Sequence, residues 1–188
     1  MVRTQTGKRP RLVQAAAKLV HEQGFHRATL ADIAREADVP LGNVYYYFKS
    51  KDELGQALID EQAELYEGLC RSWGASGEPR AELDSFILMT LDSRDSLARS
   101  GCPVGTLCAE LGKEGGPLAE RAGGVLAGML GWLTERFHAL GKEREEARAL
   151  AVHLLSALQG ASLLTHTFGD PRLVEGEAVR LRRWVAEL

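Results

Sequence analysis

The sequence is poor in the residue types that announce several common protein classes. Its 188 residues contain three cysteines, an odd number without the paired spacing of a zinc site. A disulfide framework is therefore not expected, and a reducing cytoplasm is. No uninterrupted apolar run reaches the roughly 18 residues of a membrane-crossing helix. The first ten residues, ending in Lys8-Arg9-Pro10, lack the apolar stretch of a secretion signal. There is no convincing period-two alternation of a strand, no internal repeat and no low-complexity segment. His153 and His166 have no cysteine or carboxylate set at ligand spacing beside them, so neither a metal nor a cofactor is expected. What remains is ordinary globular composition, 45% hydrophobic and 26% charged, which excludes a disordered chain. The length suits one domain or two small ones, with a core large enough to need no covalent staple.

The formal net charge of −3 hides an asymmetry. Residues 1–51 carry 9 Lys/Arg against 4 Asp/Glu, whereas the rest carries 14 against 22, so +5 stands against −8. A basic N-terminal quarter on an acidic body points to a polyanion partner at one end.

Nearly the whole chain reads as helix. Leu12, Ala16, Leu19 and Val20 fall at helical spacing, and Gly24 stops that helix. Thr29 is a natural N-cap for a second helix carrying Leu30, Ile33, Ala34 and Ala37. After a short break at Asp38-Val39-Pro40, a third helix runs through Phe48. Ser50 and Glu53 form a capping box that opens a fourth. Ser72 to Pro79 is the clearest loop. Further helices are predicted over 81–96, from the Gly101-Cys102-Pro103 break to Leu111, and over 118–140, 143–168 and 173–188. The helix over 118–140 holds Gly123, Gly124, Gly128 and Gly131, which suggest either a close helix approach or room for a bound molecule.

The functional signal lies between Thr29 and Leu54. Two short helices joined by a tight turn, the second bearing polar and aromatic groups, make a helix-turn-helix. Such a unit lays its second helix in the major groove of DNA. Three consecutive tyrosines in a helix sit about 100° apart, so Tyr45, Tyr46 and Tyr47 cannot all be core. Tyr46 and Tyr47 suit phosphate oxygens, and Tyr45 a base edge or sugar. Asn43 has the donor–acceptor pair that reads adenine. Gly42 lets backbone approach the duplex. Lys51, at a helix N-terminus, suits a phosphate. Arg3, Lys8, Arg9 and Arg11 form a basic arm able to reach backbone or the minor groove.

Residues 9–60 resemble the DNA-binding domain of TetR-family transcriptional regulators, above all in the helix-turn-helix followed by Tyr45-Tyr46-Tyr47-Phe48-Lys49-Ser50-Lys51-Asp52-Glu53-Leu54. The resemblance implies an all-α homodimer, usually a repressor, whose divergent C-terminal domain binds a small-molecule effector. It implies residues 1–60 on a palindromic double-stranded operator and residues 61–188 for effector binding and dimerisation, with no membrane. DNA contacts would fall on Thr29, Gly42, Asn43, Tyr45, Tyr46, Tyr47 and Lys51. The dimer interface would fall on the last two helices, through Leu154, Leu155, Leu158, Leu181 and Trp184. Two positions depart from the family pattern. Asp38 stands where glycine is common, a change that aspartate tolerates in a left-handed turn. Pro40-Leu41 replaces the usual polar opening of the recognition helix.

The segment Gly101-Cys102-Pro103-Val104-Gly105 resembles one in a subset of these regulators, some of which sense electrophiles or small aromatic compounds. Candidate effector residues are Phe86, Met89, Cys102, Cys108, Trp132 and His166. Three other readings compete: a thiol sensor using Cys102 or Cys108, a non-specific DNA-binding protein, and a helical enzyme with a cysteine nucleophile and His166 as base. The enzyme has no local signature and leaves the three tyrosines unexplained, so it is set aside.

Overall fold

The computed structural model describes residues 7–188, so Arg3 lies outside the described residues. These fold into α-helices joined by short connections: α1 Lys8–Gln23, α2 Leu30–Glu36, α3 Leu41–Tyr47, α4 Lys51–Gly74, α5 Pro79–Asp92, α6 Arg94–Ser100, α7 Pro103–Gly112, α8 Pro117–Ala139, α9 Arg144–Phe168 and α10 Arg172–Glu187. The architecture is all-α, as the helical periodicity predicts. The stretch expected as a single helix over 81–96 is instead two. Ser93 breaks it with φ −88° and ψ 1°, while its hydroxyl donates to the Met89 carbonyl at 2.9 Å. Neither glycine nor proline marks that break.

The chain divides into two compact units. Among the described residues, the first comprises 7–64 together with Thr106–Val125. Its core is built from Leu12, Ala16, Ile33, Val44, Leu54 and Leu58, all at most 3% exposed. The segment 106–125 is tied into this unit by polar and apolar contacts. The Phe25 N–H donates to Glu110 Oε2 at 2.6 Å, and Arg121 Nε donates to Asp60 Oδ1 at 2.8 Å. Gly55 lets Phe25 and Leu118 close over α4: a Cβ there would sit 2.8 Å from the Phe25 ring.

The second unit comprises Leu65–Gly105 and Leu126–Leu188. Its centre holds Leu83, Ile87, Leu133, Phe137, Leu154 and Leu158. By length and composition alone α9 is apolar enough to cross a membrane, which run-length reading did not anticipate. Its stripe of Ala147, Ala151, Leu154, Leu158 and Ala161 is buried in the protein, as in a core helix that packs on α6 and α10.

The glycines of α8 have no close neighbour. At Gly123, Gly124, Gly128 and Gly131 an added Cβ would meet nothing within 4 Å among the described residues. Gly128→Ala is therefore expected to raise stability by about 0.5–1 kcal/mol, the usual gain in a helix interior. A denaturant titration reads this directly. A loss instead of a gain would mean that another chain packs on that face.

Candidate nucleic-acid interface

The helix-turn-helix is assembled by local bonds that the sequence specifies. Thr29 caps α2: its hydroxyl oxygen accepts the Asp32 N–H at 3.1 Å, and its proton goes to Asp32 Oδ2 at 2.6 Å. That hydroxyl and Arg35 hold the Asp32 carboxyl below the usual range. Asp38 takes φ 50°, the left-handed conformation expected of a residue in the glycine position of this turn. The Val39 N–H then closes the turn on the Ala34 carbonyl at 2.9 Å.

Behind α3, Val44 and Phe48 anchor it at 0% and 2% exposure. In front, Leu41 is 42%, Tyr45 50% and Tyr46 75% exposed. Asn43 and Tyr47 are half-buried. The Tyr46 and Tyr47 rings meet edge to face with centroids 5.0 Å apart, so each limits the other's rotation. Gly42 faces open space. The Lys49 ammonium donates to the Tyr45 carbonyl at 3.0 Å, closing the C-terminal end of α3. The capping box at α4 is present but shifted by one residue: Glu53 N–H donates to Ser50 Oγ at 3.1 Å, while the Glu53 carboxylate takes the Lys49 N–H at 2.7 Å.

Four cations surround this face, and they do different things. Lys8 is exposed. Arg9 lies over the Phe48 ring, 5.2 Å from its centroid, beside the end of α3. Lys51 is half-buried: its ammonium donates to the His26 carbonyl at 3.0 Å and stands 4.7 Å over the Phe25 ring. Burial pulls this amine below the ordinary lysine range, against the pull of Glu110, Asp52 and Glu114. The fourth is Arg11, read from sequence as part of a basic arm. It is a clamp instead. Its Nε donates to the Ala37 carbonyl at 2.9 Å, and Nη2 donates to the carbonyls of Ala37 and Asp38. Twenty-six residues separate Arg11 from Ala37. No local pattern could have revealed the pairing.

In the second unit Phe86 and Trp132 come together, ring centroids 6.3 Å apart. Met89 is half-buried on the same helix as Phe86. Cys102 and His166 attach elsewhere, to α6 and α9. Cys102 Sγ accepts the Gly105 N–H at 3.3 Å and lies 3.5 Å from Gln159 Nε2. A Cβ at Gly105 would approach Gln159 Oε1 to 2.5 Å, so the amide end of that side chain would have to shift. His166 Nδ1 is 3.4 Å from the Ala98 carbonyl. Cys108 belongs to the other unit.

Of the five expected interface residues, three need correction. Leu154, Leu158 and Leu181 are at most 2% exposed within a single protomer, so they have no surface to offer a partner. Leu155 is half-buried. Trp184 is half-buried and packs against Phe137 and His153, at 5.8 and 4.9 Å between centroids. The apolar surface of these helices lies instead on Val152, Leu163, Leu164 and Phe168 of α9 and Val179 of α10, each at least 43% exposed.

Comparison with known proteins adds to this geometry. A sequence family described as bacterial regulatory proteins, tetR family, matches residues 12–58. A second, the LmrA/YxaF-like transcriptional regulator C-terminal domain, matches residues 79–175, just over half of the chain. The chain is 27% identical over 176 residues to the uncharacterized HTH-type transcriptional regulator YxaF of Bacillus subtilis, covering 91% of this chain and 92% of that protein. An uncharacterized HTH-type regulator of Mycobacterium tuberculosis is 29% identical over 170 residues, covering 87% of each. A TetR transcriptional regulator from Legionella pneumophila superposes with a TM-score of 0.86 at 19% identity, covering 98% of both chains. A regulatory protein TetR from Rhodobacter sphaeroides gives 0.82 at 24% identity, covering 93% of this chain and 96% of that one.

Proposed function

Since the chain belongs to the tetR family of bacterial regulatory proteins and is a DNA-binding transcriptional regulator rather than an enzyme, we propose that it is a repressor released from a palindromic operator by a small-molecule effector. Residues 1–60 bind the operator; residues 61–188 bind the effector and pair two chains. The observation that carries the DNA half is α3 itself: rigidly anchored through Val44 and Phe48, it exposes Leu41, Tyr45 and Tyr46 to solvent. Exposed aromatics on a short helix are poor surface chemistry without a partner.

In this reading Asn43 reads a base edge, and Tyr46 and Tyr47 bind phosphate. Lys8, Arg9 and Arg3 add backbone charge. Thr29 and Lys51 present the α2 and α4 N-termini to phosphate through N–H groups, since their side chains are already engaged. Val152, Leu163, Leu164, Phe168 and Val179 form the face that a second copy covers. A dimer must hold its two recognition helices about 34–36 Å apart to meet both half-sites. An effector that favours another spacing lowers operator affinity by its differential affinity for the two states, typically about 1–3 kcal/mol. Helix α4, shared by both units, is the lever.

Two substitutions test the contact assignment. Asn43→Ala relaxes preference at one base position per half-site, by about 1–3 kcal/mol. Tyr47→Phe weakens binding to all sequences alike, because it removes a phosphate contact. Competition binding against single-base operator variants separates the two. Uniform loss with Asn43→Ala would contradict base readout.

A further inference from the structure

The side chains of α3 limit which base pairs it can read. The helix runs Leu41-Gly42-Asn43-Val44-Tyr45-Tyr46-Tyr47 and holds no arginine, lysine, aspartate or glutamate. Guanine is read in the major groove by an arginine or lysine, and cytosine by a carboxylate. Neither group is present on α3. The next cation along the chain, Lys49, is turned back onto the Tyr45 carbonyl at 3.0 Å. What α3 offers a base edge is one side-chain amide, on Asn43, the tyrosine rings, and the apolar side chain of Leu41.

Val44 and Phe48 fix which face of α3 is buried, and Leu41 stays outside it at 42% exposure. Tyr45, four residues on, is 50% exposed. Side chains four apart in a helix stand one above the other, so the two share one ridge. The position of Leu41 is set from both sides. Pro40 precedes it with φ −55°, the angle its ring imposes, and the Pro40 carbonyl accepts the Asn43 N–H at 2.8 Å. Gly42 follows, with nothing within 4 Å of where a Cβ would stand. The backbone beside Leu41 can therefore approach the floor of a groove with no side chain in the way. A single exposed leucine is ordinary on a protein surface. On a helix that enters the major groove it meets base edges, and only one group among them is apolar, the C5-methyl of thymine. Guanine, adenine and cytosine present polar atoms there, which an apolar side chain would strip of water without replacing its hydrogen bonds.

We propose that Leu41 is a specificity-determining residue that reads the C5-methyl of a thymine, and that with Asn43 on adenine it makes the base pairs read by α3 A·T pairs. The contact is van der Waals: the leucine methyls cover the thymine methyl and exclude water from it. Each of two chains brings its own Leu41, so the thymine recurs once in each half-site. This assignment rests on the DNA-binding reading above and names the chemistry of its operator. The leucine opening of α3 is visible in the sequence. Its exposure beside the open backbone at Gly42 is a property of the fold.

The test begins with the full chain and a pool of random duplexes, from which bound sequences are selected and aligned. Each thymine of the consensus half-site is then replaced by deoxyuridine, in one half-site and in both. Uracil keeps every hydrogen-bonding group of thymine and lacks only the methyl. The expected result is one thymine per half-site whose replacement weakens binding about fourfold, and about fifteenfold when both are replaced, the worth of one methyl-sized apolar contact in each half-site. Leu41→Ala should lose affinity for the thymine operator by a similar factor and bind its thymine and uracil forms equally at that position. Leu41→Met keeps the apolar reach and should keep the discrimination. A thermal melt of each variant checks that the fold is unchanged. A consensus half-site without a uracil-sensitive thymine would overturn the proposal. So would a sensitivity that survives in Leu41→Ala, which would move the methyl contact to Tyr45. A pool that yields no consensus would overturn sequence-specific binding itself and this assignment with it. That failure is distinguishable, because it arises before any uracil is introduced.

Discussion

Arg11→Gln is expected to weaken specific operator binding about tenfold while leaving the salt dependence of that binding unchanged. The guanidinium bridges the carbonyls of Ala37 and Asp38, the two residues that turn the chain from α2 into α3. Asp38 holds φ 50° there, a conformation that carries a cost for a residue with a Cβ. Hydrogen bonds to a charged group contribute about 1.5–3 kcal/mol, and 1.4 kcal/mol is a factor of ten. Without them the entry angle of α3 loosens, and part of the binding energy goes into fixing it again. The salt slope separates this role from direct contact. Each phosphate neutralised contributes roughly 0.9 to the slope on double-stranded DNA. A clamp leaves the slope alone, whereas a phosphate ligand lowers it when removed. Arg11→Lys sharpens the comparison: lysine keeps the charge but cannot bridge two carbonyls with a planar fork. Recovery of affinity by lysine, or a slope reduced by about one contact in Arg11→Gln, would place Arg11 on the DNA instead.

Gly24→Ala should destabilise the DNA-binding unit by about 2–5 kcal/mol. Gly24 has φ 89° and ψ 157°, a region open essentially to glycine alone and costing others roughly 1–3 kcal/mol. A Cβ there would also collide with the Glu110 carboxylate. Moving that carboxylate breaks its bond to the Phe25 N–H, 2.6 Å long. Urea titration of the purified variants measures the loss. The double variant Gly24→Ala/Glu110→Ala should cost less than the two single changes added together, because both disturb the same contact. Strict additivity would show that the glycine is required for its backbone angle alone.

The sequence was most informative where structure is local. The Thr29 cap and the left-handed turn at Asp38 each depend on residues within a few positions of one another. Legibility ended where two answers share one pattern. Helix α9 is apolar on two sides, and periodicity cannot say which side the protomer buries. Ala151, Leu154 and Leu158 took the inside, leaving Val152, Leu163, Leu164 and Phe168 outside. The same holds for residues joined only by the fold. Arg11 reads as one more basic residue near a positive terminus until α2 brings the Ala37 carbonyl to it. Glu110 reads as an ordinary surface carboxylate until Gly24 lets it approach. The break at Ser93 carries no glycine or proline, so the helix-period pattern runs straight through it.

Sequence-specific repression is decided by fluorescence anisotropy. The purified chain is titrated against the DNA upstream of its own gene and against random duplex of equal length, at two salt concentrations. A repressor binds tightly and saturably to a palindrome within the upstream DNA, well above the random duplex at both salts. Equal, steeply salt-dependent binding to the two duplexes would reveal a non-specific polyanion binder and contradict it.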